Sequence, residues 1–250
     1  QVGCRQGCTF CSTAKMGLIR NLKVSEIIGQ IYTSNRWLAQ NPSWLVENNL
    51  PKSMKVTNIV FMGMGEPLDN VAAIIESVKI ITDPWGLAIA PRKVTISTAG
   101  HLDGLKALNQ SQTNVSLALS LHSANPLKRS QLMPINRKYC LDQVLKEIRS
   151  YSLQNQKRIF IQYTLIKGIN DSPKDASDTL ELLKGIPSKV NLIPYNSVPG
   201  SRFSPPPLEK IKAFQSILLK GKLRATIRFS KGGDIDAACG QLVLVEKNQT

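Results

Sequence analysis

The sequence predicts an α/β fold, namely a partial (β/α)6 barrel whose first strand is cut off. Strand-like apolar runs recur along the chain, and stretches with apolar residues at helical spacing separate them. Such alternation builds parallel βα units that wind in the right-handed sense. An open doubly wound sheet is the competing architecture. We expect one core domain over residues 1–250, with residues 232–250 forming a C-terminal tail.

Six short runs are the strand candidates, at residues 58–62, 94–98, 115–121, 159–166, 190–193 and 225–229. Helical spacing of apolar residues is clearest at 24–31, 71–78, 141–148 and 211–218, and shorter helices are expected at 102–108 and 173–183. Ser25 and Asn70 belong to the residue types that cap helix N-termini, and they are placed to cap the first two of these helices.

The chain is strongly basic, because 32 Lys and Arg residues against 17 Asp and Glu residues give a formal charge of +15. This balance favours a polyanionic partner such as nucleic acid, since cationic side chains release counterions from phosphates. Hydrophobic residues make up 42% of the chain, as in ordinary globular proteins. No run reaches the roughly 18 apolar residues of a membrane helix, so we expect no membrane insertion. The basic charge leads us to expect nucleic-acid binding.

Five cysteines are present, and three of them fall within eight residues. This spacing suits a metal site better than a disulfide framework, and it favours a reducing, cytoplasmic compartment. The chain opens directly on the motif that contains Cys4. We therefore expect the natural N-terminus, with any targeting segment, to have been lost.

The position of each charge relative to the strands predicts which charges face a ligand, since ligands in α/β folds bind beyond the carboxyl ends of the strands. Basic residues just before strands are expected at the opposite end; these are Arg92, Lys93, Lys157 and Arg158. Basic residues after strands are expected on the ligand side; these are Lys15, Arg20, Lys128, Arg129, Arg137, Lys138, Arg202 and Lys231.

Cys4, Cys8 and Cys11 form a C-x3-C-x2-C run at the end of the truncated first strand. Three thiolates on one short loop can hold three corners of a 4Fe–4S cluster and leave the fourth iron open to an external chelate. S-adenosylmethionine (SAM) is such a chelate, and an electron from the cluster can break its sulfonium bond to release a 5′-deoxyadenosyl radical. The triplet therefore predicts a cluster that binds and cleaves SAM.

A structural zinc site is the main alternative for the triplet. It would need a fourth ligand, which could come from Cys140, Cys239, His101 or His122. Zinc knuckles usually come as two separated pairs, whereas this chain has one tight triplet. Three unrelated thiols are a further alternative, which so short a span disfavours.

Residues at the strand ends supply the other site candidates. Gly65 and Glu66 follow the strand near residue 60, where glycine lets backbone approach a ligand and a carboxylate can accept from the ammonium of SAM. Cys239 follows the last strand, and it is either a small buried thiol or a reactive thiol that faces the cluster. Lone polar residues at strand ends are more often structural, which applies to Ser97, Ser120, His122 and Asn196.

Taken together, these motifs resemble the RlmN-type radical SAM RNA methyltransferases, whose relatives include the Cfr-type resistance enzymes. The similarity runs from Gln1 to about Leu242, through Gly63-Met-Gly-Glu-Pro-Leu68, Ser120-Leu-His122 and Asp-Ile-Asp-Ala-Ala-Cys-Gly-Gln-Leu at 234–242. The context of Asp236 resembles the RlmN side more than the Cfr side. The resemblance implies a radical SAM barrel that modifies an adenosine of 23S rRNA and of tRNA.

The resemblance also implies a two-SAM reaction. A first SAM methylates Cys239, and a second is cleaved at the cluster held by Cys4, Cys8 and Cys11. The radical takes hydrogen from the S-methyl group, and the resulting carbon radical adds to carbon 2 of the adenine. A flavodoxin-like protein is the implied electron donor, and a monomer is expected. The implied SAM-binding residues are Gly65, Glu66, Ser97, Ser120, Leu121, His122 and Asn196.

In the family, a second cysteine that frees the product, a catalytic base and a small RNA-binding domain lie before the triplet, and this chain has none of them. Cys140 is not at the matching place. We therefore expect the chain to bind a cluster and SAM without multiple turnover. The alternatives are an enzyme that methylates carbon 8 of adenine, a zinc-bearing RNA-binding module and a degenerate fragment.

Overall fold

Six parallel strands in sequential order form the centre of the protein, whose structure is a computed structural model. The structure describes residues 1–155, 157–198, 200–230 and 238–243. The strands are β3 (Ile59–Phe61), β4 (Val94–Thr98), β5 (Ser116–Ser120), β6 (Ile159–Leu165), β7 (Ser188–Pro194) and β8 (Arg224–Ile227). Sequential order without a reversal is that of a partial barrel and excludes the doubly wound sheet. The predicted fold class is confirmed.

A small antiparallel pair precedes this sheet and frames the cysteine triplet. Strand β1 (Val2–Gly3) pairs with β2 (Leu18–Arg20), and the triplet lies in the connection between them. The backbone of Gly3 has φ +78°, and a Cβ there would lie 1.9 Å from the carbonyl oxygen of Gly17. Only glycine fits this close approach, which brings the start of the triplet against the returning strand.

Ten α-helices connect the described strands. They are α1 (Ser12–Lys15), α2 (Val24–Gln40), α3 (Pro42–Glu47), α4 (Val71–Thr82), α5 (Leu102–Gln110), α6 (Pro126–Leu132), α7 (Ile135–Lys138), α8 (Leu141–Asn155), α9 (Pro173–Leu182) and α10 (Leu208–Lys220). No helix in the described part of the chain is long and apolar enough to cross a membrane.

The core lies between the sheet and the apolar faces of the longer helices. Residues of neighbouring strands such as Val94, Leu117, Ile161 and Leu192 are fully buried. Strand β6 is buried along almost its whole length, as expected where a parallel sheet is covered on both faces. Burial of this kind supplies the main driving force for folding at about 25 cal/mol per Å² of apolar surface.

The six predicted strands lie within two residues of the observed ones. Helices α2 and α8 run past their predicted spans of 24–31 and 141–148, and α3, α6 and α7 were not predicted. Of the two predicted caps, Ser25 is not at a cap position, and Asn70 is at one without making a capping bond. Helix α2 begins at Val24, so Ser25 is inside it and Lys23 occupies the cap position. Asn70 does precede α4, yet its amide nitrogen donates to the carbonyl of Leu22 at 2.8 Å and makes no capping bond. Asn70 therefore joins the loop after β2 to the start of α4.

Candidate functional site

The loops after the strands open into one cavity of about 670 Å³ at the carboxyl edge of the sheet. This volume is typical of small-molecule sites. The walls bring together most of the residues that the sequence singled out: Cys4, Cys8, Cys11, Gly65, Glu66, Ser97, Ser120, His122 and Cys239. Leu121 and Asn196 are not among the lining residues, and both act through hydrogen bonds described below.

The three cysteines of the triplet are held by backbone hydrogen bonds on one loop. The N–H of Cys4 donates to the carbonyl of Gly17 at 2.8 Å, and the N–H of Cys11 donates to the carbonyl of Cys8 at 3.1 Å. Between them, the N–H of Thr9 donates to the carbonyl of Leu132 at 3.0 Å, which ties the loop to the end of α6. The three thiols therefore reach one cavity from a braced loop.

Burial raises the pKa of two of these thiols, to about 11 for Cys4 and further for Cys8, and neighbouring thiolates add to the shift. Thiols of this kind need cationic ligands to ionise at neutral pH, which bound iron supplies. The described residues contain no group of three or more His, Cys, Asp or Glu around a single ion. A cubane cluster gives each thiolate its own iron, so three separated thiols on one loop fit it.

Asp69 ties the cysteine loop to the strand ends, and the sequence analysis did not single it out. Its carboxylate accepts from Gln6 Nε2 at 2.9 Å and lies 3.2 Å from Arg5 Nε and 3.2 Å from His101 Nε2. The other nitrogen of His101 accepts from the N–H of Gly104 at 3.1 Å, at the start of α5. A carboxylate close behind a glycine-rich turn is the signal that could have suggested this anchor.

Glu66 is buried in the cavity wall. Its carboxylate accepts from the N–H of Ala99 at 2.7 Å and from the N–H of Leu68 at 3.1 Å. Burial raises the pKa of Glu66 to about 7 against the lowering effect of these hydrogen bonds. An ammonium group beside it would return the pKa towards its usual range, so the site favours a cationic ligand.

Gly65 places this glutamate. It has φ +93°, and a Cβ there would lie 2.6 Å from side-chain atoms of Gln1. The Gln1 amide oxygen accepts from the N–H of Glu66 at 2.8 Å. Glycine is therefore required where the two segments meet.

His122 is a neutral donor in the cavity wall. The backbone N–H of Thr164 donates to His122 Nδ1 at 2.9 Å, and because an amide N–H can only donate, the ring proton sits on Nε2. Burial and the nearby charge of Arg129 lower the pKa of His122 to about 3, so the ring stays neutral. Its backbone has φ +54°, and its carbonyl accepts from Asn170 Nδ2 at 2.6 Å.

A polar ladder that the sequence analysis missed crosses three strands. Thr226 Oγ1 donates to Asn191 Oδ1 at 3.0 Å, and Asn191 Nδ2 donates to Gln162 Oε1 at 3.3 Å. Gln162, at the cavity end, lines the wall. Single polar residues inside otherwise apolar strands are the signal for this ladder, since each would be costly to bury alone.

Cys239 lies close to the triplet because its segment is tied to α1. The N–H of Ser12, next to Cys11, donates to the carbonyl of Gly240 at 2.8 Å, and Thr13 Oγ1 donates to the carbonyl of Leu242 at 2.5 Å. The thiol is accessible through the cavity, yet the surrounding protein is dense enough that burial raises its pKa.

Asn196 anchors the same segment from the other side. Its amide nitrogen donates to the carbonyl of Cys239 and to Ser230 Oγ, both at 3.0 Å. The predicted site residue therefore holds Cys239 against the end of β8.

Arg129 corrects the charge prediction, because its side chain is fully buried and does not face solvent. Its guanidinium donates to the carbonyls of Ala99 at 2.7 Å, Leu121 at 3.2 Å and Ser120 at 3.2 Å, and to Asn136 Oδ1 at 2.7 Å. Burial lowers the pKa of Arg129 to about 10, so it remains charged at neutral pH. It braces the ends of β4 and β5 instead of contacting a polyanion.

Two of the remaining predicted ligand-side cations pair with carboxylates, and one of these two, Arg20, is also exposed. Lys128 lies 2.7 Å from the buried carboxylate of Asp175, and Arg20 lies 2.7 Å from Glu26. Lys231, with residues 232–237, lies outside the described residues. The predicted ligand-side cations that are exposed are Lys15, Arg20, Arg137, Lys138 and Arg202.

Comparison with known families and proteins gives a consistent result. The family model described as the Radical SAM superfamily matches residues 1–183. A dual-specificity RNA methyltransferase RlmN from Campylobacter jejuni is 46% identical over 249 residues, which are 100% of this chain and 67% of that protein. The protein of the same name from Syntrophobacter fumaroxidans is 43% identical, over 97% of this chain and 67% of its own length.

Among solved structures, the chain is similar to a radical SAM methyltransferase from Sphaerobacter thermophilus. The TM-score is 0.88 at 39% identity, and the match covers 96% of this chain and 67% of that one. The chain thus spans about two thirds of the length of these relatives.

Proposed function

Because the chain belongs to the radical SAM superfamily and to its RlmN methyltransferase family, we propose that it methylates carbon 2 of an adenosine in 23S rRNA and in tRNA through Cys239. The family uses a 4Fe–4S cluster and SAM and acts on RNA. The observation that carries the proposal is that Cys239 and the three cysteines of the triplet line one cavity.

In this proposal Cys4, Cys8 and Cys11, which line one cavity, would hold the cluster and leave its fourth iron without a protein ligand. When bound, the cluster supplies the electron that cleaves SAM to a 5′-deoxyadenosyl radical. Glu66 accepts the ammonium of SAM, since its buried carboxylate favours a cation. Gly65, Ser97, Ser120 and His122 complete the SAM pocket, with Leu121 and Asn196 holding its walls.

Cys239 carries the methyl group. Its thiolate would take a methyl group from a first SAM by displacement, with S-adenosylhomocysteine as the leaving group. The 5′-deoxyadenosyl radical from a second SAM would take a hydrogen atom from that S-methyl group, which gives 5′-deoxyadenosine and a carbon radical that would add to carbon 2 of adenine. Carbon 2 of adenine is not nucleophilic enough for direct methyl transfer, which explains why the protein interposes a sulfur. Cys140 is exposed and is not among the lining residues of the cavity, so it does not release the product.

The partners follow from the same assignment. The substrate strand approaches the carboxyl edge of the sheet, guided by exposed cations such as Lys15 in α1, Arg137 in α7 and Arg202 in the connection after β7. A flavodoxin-like protein reduces the cluster of a monomeric, cytoplasmic enzyme.

Two experiments test this function. Anaerobic reconstitution followed by EPR of the reduced cluster should give a 4Fe–4S signal that changes on adding SAM. Cys4→Ala should lose the signal, and Cys140→Ala should keep it. Zinc without iron or sulfide would contradict the proposal and favour a zinc-bearing RNA module.

Product analysis tests the methylated carbon. RNA incubated with the reduced protein and SAM, then digested to nucleosides, should contain 2-methyladenosine or remain crosslinked to Cys239. Cys239→Ser should retain SAM cleavage and lose both products. 8-Methyladenosine would assign the Cfr-type reaction and overturn the carbon-2 assignment.

A further inference from the structure

An exposed aromatic residue and an arginine follow β8 at the mouth of the cavity. Phe229 is 65% exposed and Arg228 is also exposed, and both line the same cavity as Cys239. A single exposed phenylalanine is common on protein surfaces, so what matters is that Phe229 stands beside a cation at the rim of this cavity. A ring and a guanidinium side by side are the two groups with which proteins hold single-stranded nucleic acid.

Phe229 lies between two residues that are held by hydrogen bonds, one through its backbone and the other through its side chain. The N–H of Arg228 donates to the carbonyl of Leu192 at 2.8 Å and so extends the pairing of β7 and β8 by one residue. On the other side, Ser230 Oγ accepts from Asn196 Nδ2 at 3.0 Å. Phe229 therefore sits between two anchored residues and not at the tip of a free loop.

The side chain of Asn196 also connects the segment of Phe229 to the segment of the reactive thiol. The amide of Asn196 that holds Ser230 also donates to the carbonyl of Cys239 at 3.0 Å. Arg228 is close enough for its charge to lower the pKa of Cys239, in opposition to burial. The ring, the guanidinium and the thiol thus form one wall with a set geometry.

We propose that Arg228 and Phe229 form a nucleotide-binding lip, in which the Phe229 ring stacks on a nucleobase of the RNA strand and Arg228 contacts its phosphate. The stacked base lies next to the one that enters the cavity towards Cys239. This proposal rests on the proposed function, since it takes RNA as the substrate. Stacking on an aromatic ring tolerates any base, so the lip positions the strand without selecting its sequence.

The test measures the affinity of the cluster-loaded chain for a fluorescein-labelled single-stranded RNA that contains adenosine, by anisotropy at several salt concentrations. Phe229→Ala should weaken binding about 5- to 150-fold, the range found for loss of one base stack. Phe229→Leu should weaken it similarly, because leucine keeps apolar surface but has no π face. Phe229→Tyr should bind as the wild type does.

Arg228→Gln should reduce the slope of log affinity against log salt by about 0.7, since one phosphate contact is lost. The Phe229 variants should leave this slope unchanged. The matched controls are Trp85→Ala and Arg92→Gln. Trp85 is 98% exposed, and Trp85 and Arg92 both precede β4, at the opposite end of the sheet.

Wild-type affinity for Phe229→Ala, or recovery of binding by Phe229→Leu, would overturn the stacking role. An unchanged salt slope for Arg228→Gln would overturn the phosphate contact, and no RNA binding by the wild type would overturn both. The outcomes that test the lip can be distinguished from the outcomes that test the proposed function. Binding with the expected lip effects but without methylated adenine contradicts the reaction alone, whereas methylated adenine with unaltered binding by Phe229→Ala contradicts the lip alone.

Discussion

Replacing Arg129 by methionine should destabilise the protein through loss of the brace between two strand ends. Methionine has nearly the same length and fills the same space, but it donates no hydrogen bonds. The change therefore removes the bonds to the carbonyls of Ala99, Ser120 and Leu121 and to the amide oxygen of Asn136, without opening a large cavity.

The magnitude follows from these bonds. The two bonds at 2.7 Å, to Ala99 and Asn136, are charge-assisted and contribute about 1.5–3 kcal/mol each, or roughly 3–6 kcal/mol together. The two at 3.2 Å are weaker and add about 1–3 kcal/mol. The cost of burying the guanidinium opposes the stabilisation that these hydrogen bonds provide. The fall of the Arg129 pKa from its ordinary value to about 10 corresponds to roughly 3 kcal/mol. We expect a net loss of about 1–6 kcal/mol for Arg129→Met.

Equilibrium urea unfolding of the cluster-free protein, followed by circular dichroism, measures this loss. Lys128→Met on the same helix is the matched control, because Lys128 is partly exposed and its ion pair with Asp175 should contribute about 0–1 kcal/mol. Arg129→Lys should resemble Arg129→Met, since a single ammonium cannot reach acceptors on two strands and α7. If Arg129→Met costs no more than Lys128→Met, Arg129 is not the brace and the reasoning is refuted.

Three further predictions concern the wall of the cavity. First, Glu66→Gln should become more stable relative to the wild type as the pH rises from about 4.5 to 7. The difference in the free energy of unfolding should grow by up to about 1.4 kcal/mol per pH unit, as measured by urea unfolding at several pH values. The raised pKa of Glu66 makes the wild type lose stability over this range, and the substitution removes that loss. Second, Asp69→Asn should lower the iron retained per chain after gel filtration, because the neutral amide weakens the contacts to Arg5 and His101 that anchor the cysteine loop. Third, Gly104→Ala should lower the melting temperature, because its Cβ would lie 2.5 Å from the carbonyl oxygen of Leu68. Gly29→Ala, where a Cβ on α2 would meet no other atom within 4 Å, should instead raise the free energy of unfolding by about 0.5–1 kcal/mol.

For each of these three predictions, one experimental result would contradict it. A pH dependence of Glu66→Gln parallel to that of the wild type would place the titration elsewhere. Full iron retention by Asp69→Asn would show that the backbone bonds of the loop suffice. Equal melting temperatures for Gly104→Ala and wild type would mean that α5 can shift away from Leu68 at little cost.

The strand order was predictable because each parallel strand is a short apolar run with a helix before the next. Val94–Thr98 matches its predicted bounds, and β7 extends beyond them because Ser188 and Lys189 pair with β6 although neither is apolar. Apolar periodicity records burial and not backbone pairing, so it marks the centre of a strand better than its ends. The same limit explains Ser25, since the backbone starts α2 before the residue type best suited to cap it.

The site was predictable where the chemistry lies in one short segment. The spacing of Cys4, Cys8 and Cys11 indicates their shared role without any knowledge of the fold. Asp69, Gln162 and Arg129 could not be found in this way, because their partners lie on other elements of the chain. Arg129 shows why position alone misleads: it follows a strand, as a ligand-side cation should, but it turns inward to the carbonyl of Ala99 and the amide oxygen of Asn136.

The hydrogen bonds also divide the implied SAM residues into two groups. The carbonyls of Ser120 and Leu121 accept from Arg129, and the amide of Asn196 is engaged by Cys239 and Ser230, so these groups hold the wall in shape. His122 offers an Nε2–H donor at the cavity wall, because its other nitrogen is occupied. Since buried donors and acceptors already paired within the protein gain little from a ligand, the Nε2–H of His122 is better placed for a neutral contact with SAM than these paired groups. Glu66 differs because its buried negative charge attracts the ammonium of SAM although its oxygens already accept backbone hydrogen bonds. Motif residues therefore need not touch the cofactor, and Asn196→Ala should alter the position of Cys239 before it alters SAM binding.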